Sequence, residues 1–235
     1  AVNNEIGSIQ PIEAISELLA DKPTISFHVD AVQALAKIPT EKYLTERVDF
    51  ATFSSHKFHG VRGVGFVYIK SGKKITPLLT GGGQERDYRS TTENVAGIAA
   101  TAKALRLSME KLDFFTSKTG QMKAVIRQAL LDYPDIFVFS DEKDFAPHIL
   151  TFGIKGVRGE VVVHAFEDYD IFISTTSACS SKAGKPAGTL IAMGVDKDKA
   201  QSAVRLSLDL ENDMSQVEQF LTKLKLIYNQ TRKVR

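Results

Sequence analysis

The sequence predicts an α/β fold, and three observations carry that prediction. Residues 5–70 alternate helix-like and strand-like stretches, the pattern of a mostly parallel sheet built from βαβ units. Two apolar runs, 48–53 and 63–69, flank a polar segment rich in small residues and histidine. Beyond residue 112, shorter strand and helix signals follow one another as in a smaller α+β unit. The expected organisation is a first domain over residues 1–112 and a second over residues 113–235.

Each element has its own signal. Ile12, Ile15, Leu18 and Leu19 form one face of a helix over residues 11–19. Residues 24–30 read as a short strand that ends in the carboxylate of Asp30. Residues 48–53 and 63–69 read as further strands, and the glycine-rich, charged stretch 81–92 as a loop. Neither that loop nor residues 60–65 match a Walker or Rossmann fingerprint. From Asn94, the apolar positions Val95, Ile98, Ala102, Leu105, Met109 and Leu112 step by three and four, so a long amphipathic helix is expected to link the domains.

The second half reads as a helix at 119–132, strands at 136–139 and 148–152, a helix at 159–167 and a strand at 171–174. A helical stretch at 189–193 and a strand at 203–208 follow, the latter with Arg205 among its apolar residues. The last helix is expected to open on a capping box, Ser215 with Glu218, and to bury Val217, Phe220, Leu221, Leu224 and Tyr228.

Composition narrows the function classes. The 235 residues are 43% hydrophobic, ordinary for a globular protein with a sizeable core. A net charge of +2 does not describe a general nucleic-acid binder, so no direct nucleic-acid contact is expected. No run of about 18 apolar residues occurs, so no membrane span is expected. One cysteine cannot form an intramolecular disulfide, which fits a reducing cytoplasmic location.

Three residues draw attention for their chemistry. Lys57, at a strand end and fenced by Ser54, Ser55, His56, His59 and Gly60, is suited to Schiff-base chemistry, because a desolvated amine can lose its proton and attack a carbonyl. Taken alone it reads as an ordinary solvated lysine. Asp30 alone reads as a turn or cap residue. Together, Asp30, Lys57 and the Ser54/His56 pair supply what pyridoxal 5'-phosphate (PLP) requires: a carboxylate for the pyridine nitrogen, a lysine for the aldehyde and small donors for the phosphate. In open α/β sheets such sites form beyond the carboxyl ends of strands. Cys179 sits among Ser, Thr, Ala, Gly and Lys, and that setting leaves reactive and structural roles both open. His56 and His59 lack a third ligand at metal-site spacing, so no metal is expected.

Several separate motifs, in order, resemble one family. His28-Val29-Asp30-Ala31-Val32-Gln33, Ser54-Ser55-His56-Lys57-Phe58-His59-Gly60, Gly81-Gly82-Gly83-Gln84-Glu85-Arg86 and Arg89-Ser90-Thr91-Thr92-Glu93-Asn94 are similar to segments of the NifS/IscS-type cysteine desulfurases. Ser174–Lys182 resembles the active-cysteine loop of a NifS-like subgroup linked to tRNA thiolation. The resemblance runs from Val2 to about Glu211. It implies a PLP-transferase fold of type I, with a partial large domain and a smaller C-terminal domain. It also implies that the chain begins in the middle of the family's large domain and is a C-terminal portion. None of the five histidines follows the motif of the family's ring-stacking histidine.

The resemblance further assigns roles. Lys57 would anchor PLP, and the Cys179 thiolate would take sulfur from L-cysteine as a persulfide for an acceptor protein, leaving alanine. The acceptor pathway would be tRNA thiolation, thiamine or iron–sulfur synthesis. Arg205 would bind the substrate carboxylate, Asn4 would lie near the cofactor ring and also bind substrate, and Gln33 would hydrogen-bond the phenolic oxygen. Ser54 and His56 would hold the phosphate, joined by Thr92 across a homodimer. The alternatives are a selenocysteine lyase or aminotransferase of the same fold type, and a non-catalytic fragment that only dimerises or docks an acceptor.

Overall fold

The computed structural model describes residues 1–141, 143–176 and 188–233, and they divide into two compact units. The first holds Ala1 and residues 11–112, and the second holds residues 2–10 and 113–235.

The first unit opens with α1 (Ile12–Leu18), which buries Ile12 and Ser16 but leaves Leu18 exposed. Strands β1 (His28–Asp30) and β2 (Phe50–Ser54) pair in parallel, and β3 (Gly65–Ile69) pairs antiparallel to β2. The sheet is thus mixed, in the order β1-β2-β3. Residues 24–27 of the expected first strand, and Val48 and Asp49 of the second, lie outside the paired segments. Val48 and Asp49 are nonetheless buried, Val48 as part of the core and Asp49 as a charged group. Ala51 and Phe53 point into the core in the alternation expected of a strand with one buried face.

Directly before β2, the carboxylate of Asp49, 2% exposed, receives the Phe27 N–H at 2.9 Å, Arg47 at 2.8 Å and Lys73 at 3.1 Å. Arg47 also donates to the carbonyls of Leu19, Lys22 and Ile25, so one charge cluster ties the end of α1 to the start of β2.

The expected long helix is α2 (Val95–Met109), N-capped by the Asn94 side chain on the Gly97 N–H at 3.0 Å. Its apolar stripe is not its packing face: Val95, Ile98 and Met109 are exposed. Thr101 is the buried residue of this helix, and it faces the turn that carries Lys57.

In the second unit, α3 (Leu112–Leu131) begins seven residues earlier than the periodicity predicted and precedes β4 (Ile136–Val138) and β5 (Ile149–Ile154). Then come α4 (Gly159–Glu167), β6 (Ser174–Thr175), α5 (Gly188–Ala192), α6 (Lys197–Gln201), β7 (Ala203–Ser207) and α7 (Met214–Lys233). The sheet runs β4-β5-β7-β6, and every pair is antiparallel. All six residues of β5 are buried, so both faces of this strand are covered. Leu150, Phe152 and Ile154 meet the core that includes Met122, Phe166 and Phe220. The rings of Phe166 and Phe220 stack at 4.9 Å. On the opposite face, Thr151 donates to the Glu5 carbonyl, and Gly153 lies so near Ser202 that an added Cβ would sit 2.2 Å from its hydroxyl oxygen.

Two expectations are corrected here. The strand expected at 171–174 is paired only at Ser174 and Thr175; Phe172 is 79% exposed, so its apolar run marks surface rather than sheet. The capping box of α7 is formed by Asp213 and Gln216, not by Ser215 and Glu218. Asp213 accepts the Gln216 N–H at 3.0 Å, and Gln216 accepts the Asp213 N–H at 3.2 Å. Ser215 donates instead to the Asp213 carboxylate, and its hydroxyl and the Gln216 N–H hold that carboxyl below its usual range. Among the described residues no helix is long and apolar enough to cross a membrane.

Candidate active site

The candidate residues fall into two sets, one in each unit. In the first, parallel pairing brings the carboxyl ends of β1 and β2 to the same edge, with Asp30 in register with Thr52. Asp30 ends β1 with its side chain exposed, and one carboxylate oxygen accepts the Val32 N–H at 3.0 Å. Gln33 follows in the next turn, half-buried. Ser54 ends β2 and leads into a single tight helical turn, Ser55–Phe58.

That turn is built to hold Lys57 in place. Ser55 and Phe58 are buried, His56 is exposed and Lys57 is half-buried between these anchors. The Ser55 hydroxyl pairs with that of Thr101 at 2.9 Å, and Thr101 donates in turn to the Gly97 carbonyl at 2.7 Å. Ser108 donates to the Phe58 carbonyl at 3.2 Å, so α2 grips both ends of the turn. His59 closes it in the left-handed region, at φ 64°. Gly60 follows where an added Cβ would meet the Ser55 hydroxyl oxygen at 1.9 Å, so no larger residue fits unless Ser55 moves. Thr92 is exposed, two residues before the Asn94 cap of α2.

The second set lies in the other unit. Arg205, on β7, is half-buried and donates through Nη1 to the backbone carbonyl of Asn4 at 2.7 Å. Asn4 lies in a turn that Asn3 caps, its Oδ1 accepting the N–H of Glu5 at 2.9 Å and of Ile6 at 3.0 Å. The Glu5 carboxylate accepts the Thr189 N–H at 3.0 Å, and Asn3 Nδ2 donates to the Thr189 hydroxyl at 3.2 Å. Gly7 continues the turn at φ 83°. Cys179 lies outside the described residues.

Thr101 and Asn3 did not stand out in the sequence, and Ser55 stood out only as a small hydroxyl beside Lys57. The signals available were small hydroxyl residues beside Lys57, and an Asn-Asn pair four residues before a glycine, which is turn chemistry. Among the described residues no group of three or more His, Cys, Asp or Glu side chains is placed to hold a metal ion.

Chemically, the first set offers a carboxylate, an amine, a hydroxyl and an imidazole along one sheet edge. This donor set fits PLP: an acid for a ring nitrogen, an amine for an aldehyde, and hydrogen-bond donors for a phosphate.

Comparison with known proteins agrees with that chemistry. Residues 1–220 match the family described as Aminotransferase class-V. The chain is 51% identical over 234 residues to a NifS/IcsS protein homolog of Lactobacillus delbrueckii subsp. bulgaricus, covering 99% of this chain and 61% of that protein. It is 37% identical to the cysteine desulfurase IscS of Clostridium botulinum, covering 99% of this chain and 59% of the relative. The solved structure of a NifS-like protein superposes with a TM-score of 0.87 at 36% identity, covering 97% of this chain and 60% of that one. The NifS-like protein of Rickettsia africae gives a TM-score of 0.86 at 29% identity, with the same two shares covered. The chain therefore spans about three fifths of the length of these relatives, and its fold is that of the type I PLP-transferases. By sequence and by fold, the chain belongs to the aminotransferase class-V family, with relatives of the NifS/IscS type.

Proposed function

We propose that this chain is part of a PLP-dependent cysteine desulfurase, which converts L-cysteine to L-alanine and passes sulfur to an acceptor protein. The observation that carries the reading is the shared edge of β1 and β2, where Asp30 and the anchored Ser54–Lys57 segment stand on neighbouring parallel strands. PLP, when bound, supplies an electron sink that weakens bonds around the amino acid's α carbon.

The residues divide the remaining work. Asp30 keeps a proton on the ring nitrogen by placing a negative charge beside it. Gln33 would hydrogen-bond the phenolic oxygen, Asn4 would serve the ring, and Ser54 and His56 would hold the phosphate, with Thr92 joining them from the second subunit of a homodimer. Lys57 anchors the cofactor and moves protons at the substrate, and the Ser55 and Phe58 anchors keep it from swinging away. Arg205 pairs its planar fork with the substrate carboxylate. The Cys179 thiolate attacks the substrate sulfur, a sulfur–sulfur bond forms, and the carbon–sulfur bond breaks. The electron pair left on carbon takes a proton, giving alanine and a persulfide. A cytoplasmic setting suits a chain with one cysteine, and the acceptor serves tRNA thiolation, thiamine or iron–sulfur synthesis.

The test is borohydride reduction of the full-length protein after PLP is added, followed by peptide mass analysis and an assay of sulfide release from L-cysteine. A PLP adduct on the Lys57 peptide, lost in Lys57→Ala, is expected. Cys179→Ala should keep the adduct and lose the persulfide. An adduct on another lysine, or undiminished sulfide release by Cys179→Ala, overturns the assignment.

A further inference from the structure

The turn formed by residues 3–7 is held by its consecutive carbonyls. Asn4 O accepts from Arg205, Glu5 O from the Thr151 hydroxyl, Ile6 O from the Ser140 hydroxyl and Gly7 O from the Ala146 N–H. Thr151 and Arg205 are themselves cross-strand partners on β5 and β7. The strand pair that carries Arg205 thus grips the turn at two successive residues.

The Asn4–Glu5 peptide is the critical unit. A trans peptide is a rigid plane whose C=O and N–H point in opposite directions. Here the N–H end is held by Asn3 Oδ1 at 2.9 Å, and the C=O end by Arg205 Nη1 at 2.7 Å. Any rotation of the plane that frees its N–H also swings its C=O away from the guanidinium. Asn3 therefore sets the direction of the carbonyl against which Arg205 rests. Its Nδ2, donating to the Thr189 hydroxyl at 3.2 Å, keeps the Asn3 side chain from turning over. The backbone at this point does not depend on Asn3 alone for its fold, because Ile6 is 1% exposed and packs with Leu190, Ala200 and Ala203.

We infer that Asn3 is a positioning residue for Arg205: through the Asn4–Glu5 peptide plane it fixes the orientation in which the guanidinium meets an amino-acid carboxylate. This rests on the carboxylate role proposed above for Arg205. A bidentate ion pair needs the fork in one plane with its partner, so a tilted guanidinium keeps its charge and loses one of two bonds. The loss falls on substrate binding rather than on the chemical step.

The test uses the full-length, PLP-loaded protein and its Asn3→Ala and Asn3→Asp variants. Steady-state desulfuration gives KM and kcat for L-cysteine, calorimetry gives the Kd of L-alanine, and hydrogen exchange follows the Glu5 and Ile6 amides. Asn3→Ala should raise both KM and the L-alanine Kd by about tenfold, leave kcat within about threefold, and speed exchange at both amides. Asn3→Asp keeps the acceptor oxygen and should restore KM and Kd to within about threefold of the parent. If Asn3→Ala does not fold, Asn3→Ser, whose hydroxyl can cap the turn more weakly, should give an intermediate loss. Unchanged KM and Kd in the folded variant overturn the inference, as does an equal loss in Asn3→Asp. A parent protein that releases no sulfide from L-cysteine counts against the desulfurase reading instead, and the L-alanine Kd series then still decides the role of Asn3. A parent that binds no L-alanine overturns both.

Discussion

Asp49→Ala should cost the protein about 3 kcal/mol of stability. The carboxylate is 2% exposed and receives three donors: the Phe27 N–H, Arg47 and Lys73. Removing it leaves Phe27 without that acceptor and two cations facing one another across the gap. Breaking a fully buried pair costs about 3–5 kcal/mol. The low end applies here, because Arg47 is 14% and Lys73 31% exposed, so both keep partial access to water. Arg47 also keeps three backbone carbonyls, which retain it in place with its charge uncompensated.

The same cluster sets a pH dependence. Burial pushes the Asp49 carboxyl up, but the Phe27 N–H, Arg47 and Lys73 together pull it down further, to below its ordinary 3.8. A carboxyl lowered in the folded state gives stability that is fully present above pH 3.8 and lost as pH falls through the folded value. Urea unfolding of parent and variant at pH 7 and at successively lower pH is the assay. The difference between them should be about 3 kcal/mol at pH 7 and should shrink below pH 4. A difference under about 1 kcal/mol at pH 7 would refute the reasoning, since exposed pairs give that little.

Three more outcomes follow from the structure. Gly60→Ala should displace Ser55 from Thr101 and lower PLP capture at Lys57 by about tenfold or more, because the new Cβ would sit 1.9 Å from the Ser55 hydroxyl oxygen; capture equal to the parent's, measured by borohydride trapping, would count against it. Lys123, 6% exposed with its ammonium on the Ala146 carbonyl at 2.9 Å, is lowered by burial from 10.5 to about 8, so its unfolded form binds more protons between those values. Its burial penalty is present below pH 8 and fades as pH rises to 10.5, adding at most roughly 3 kcal/mol of stability over that window. Lys123→Met should flatten this slope in urea unfolding, and an unchanged slope would assign it to other groups. Phe166→Ala removes a fully buried ring stacked on Phe220 at 4.9 Å and should cost about 3–5 kcal/mol by the same measurement; a loss under 1 kcal/mol would mean that the core closes over the gap.

Much of this protein was legible in its sequence. Local patterns announced their elements: the stretch 159–167 is helical as read, and the apolar run at 48–53 overlaps strand β2. The motif around Lys57 suggested the chemistry proposed here, because a lysine between a strand and a glycine, with hydroxyls and histidines beside it, is a local arrangement. What a residue touches across the chain was a different matter. The apolar stripe of α2 gave the helix but not its packing face, which is set by Thr101 and Ser108 meeting the Lys57 turn. The capping residue of α7 was misplaced by two positions, since Asp213 and Ser215 both carry capping side chains and only the chain's approach selects between them. The assignment of residues 2–10 to the unit formed by 113–235 had no local signal, because it rests on carbonyls meeting Thr151, Ser140 and Arg205 from far along the chain. By itself the sequence determined the class of fold and nominated the groups proposed to react, since both readings follow from periodicity and short-range chemistry. Only the tertiary structure decided which neighbours hold those groups still, because that depends on backbone directions fixed by contacts 46 to 201 residues apart.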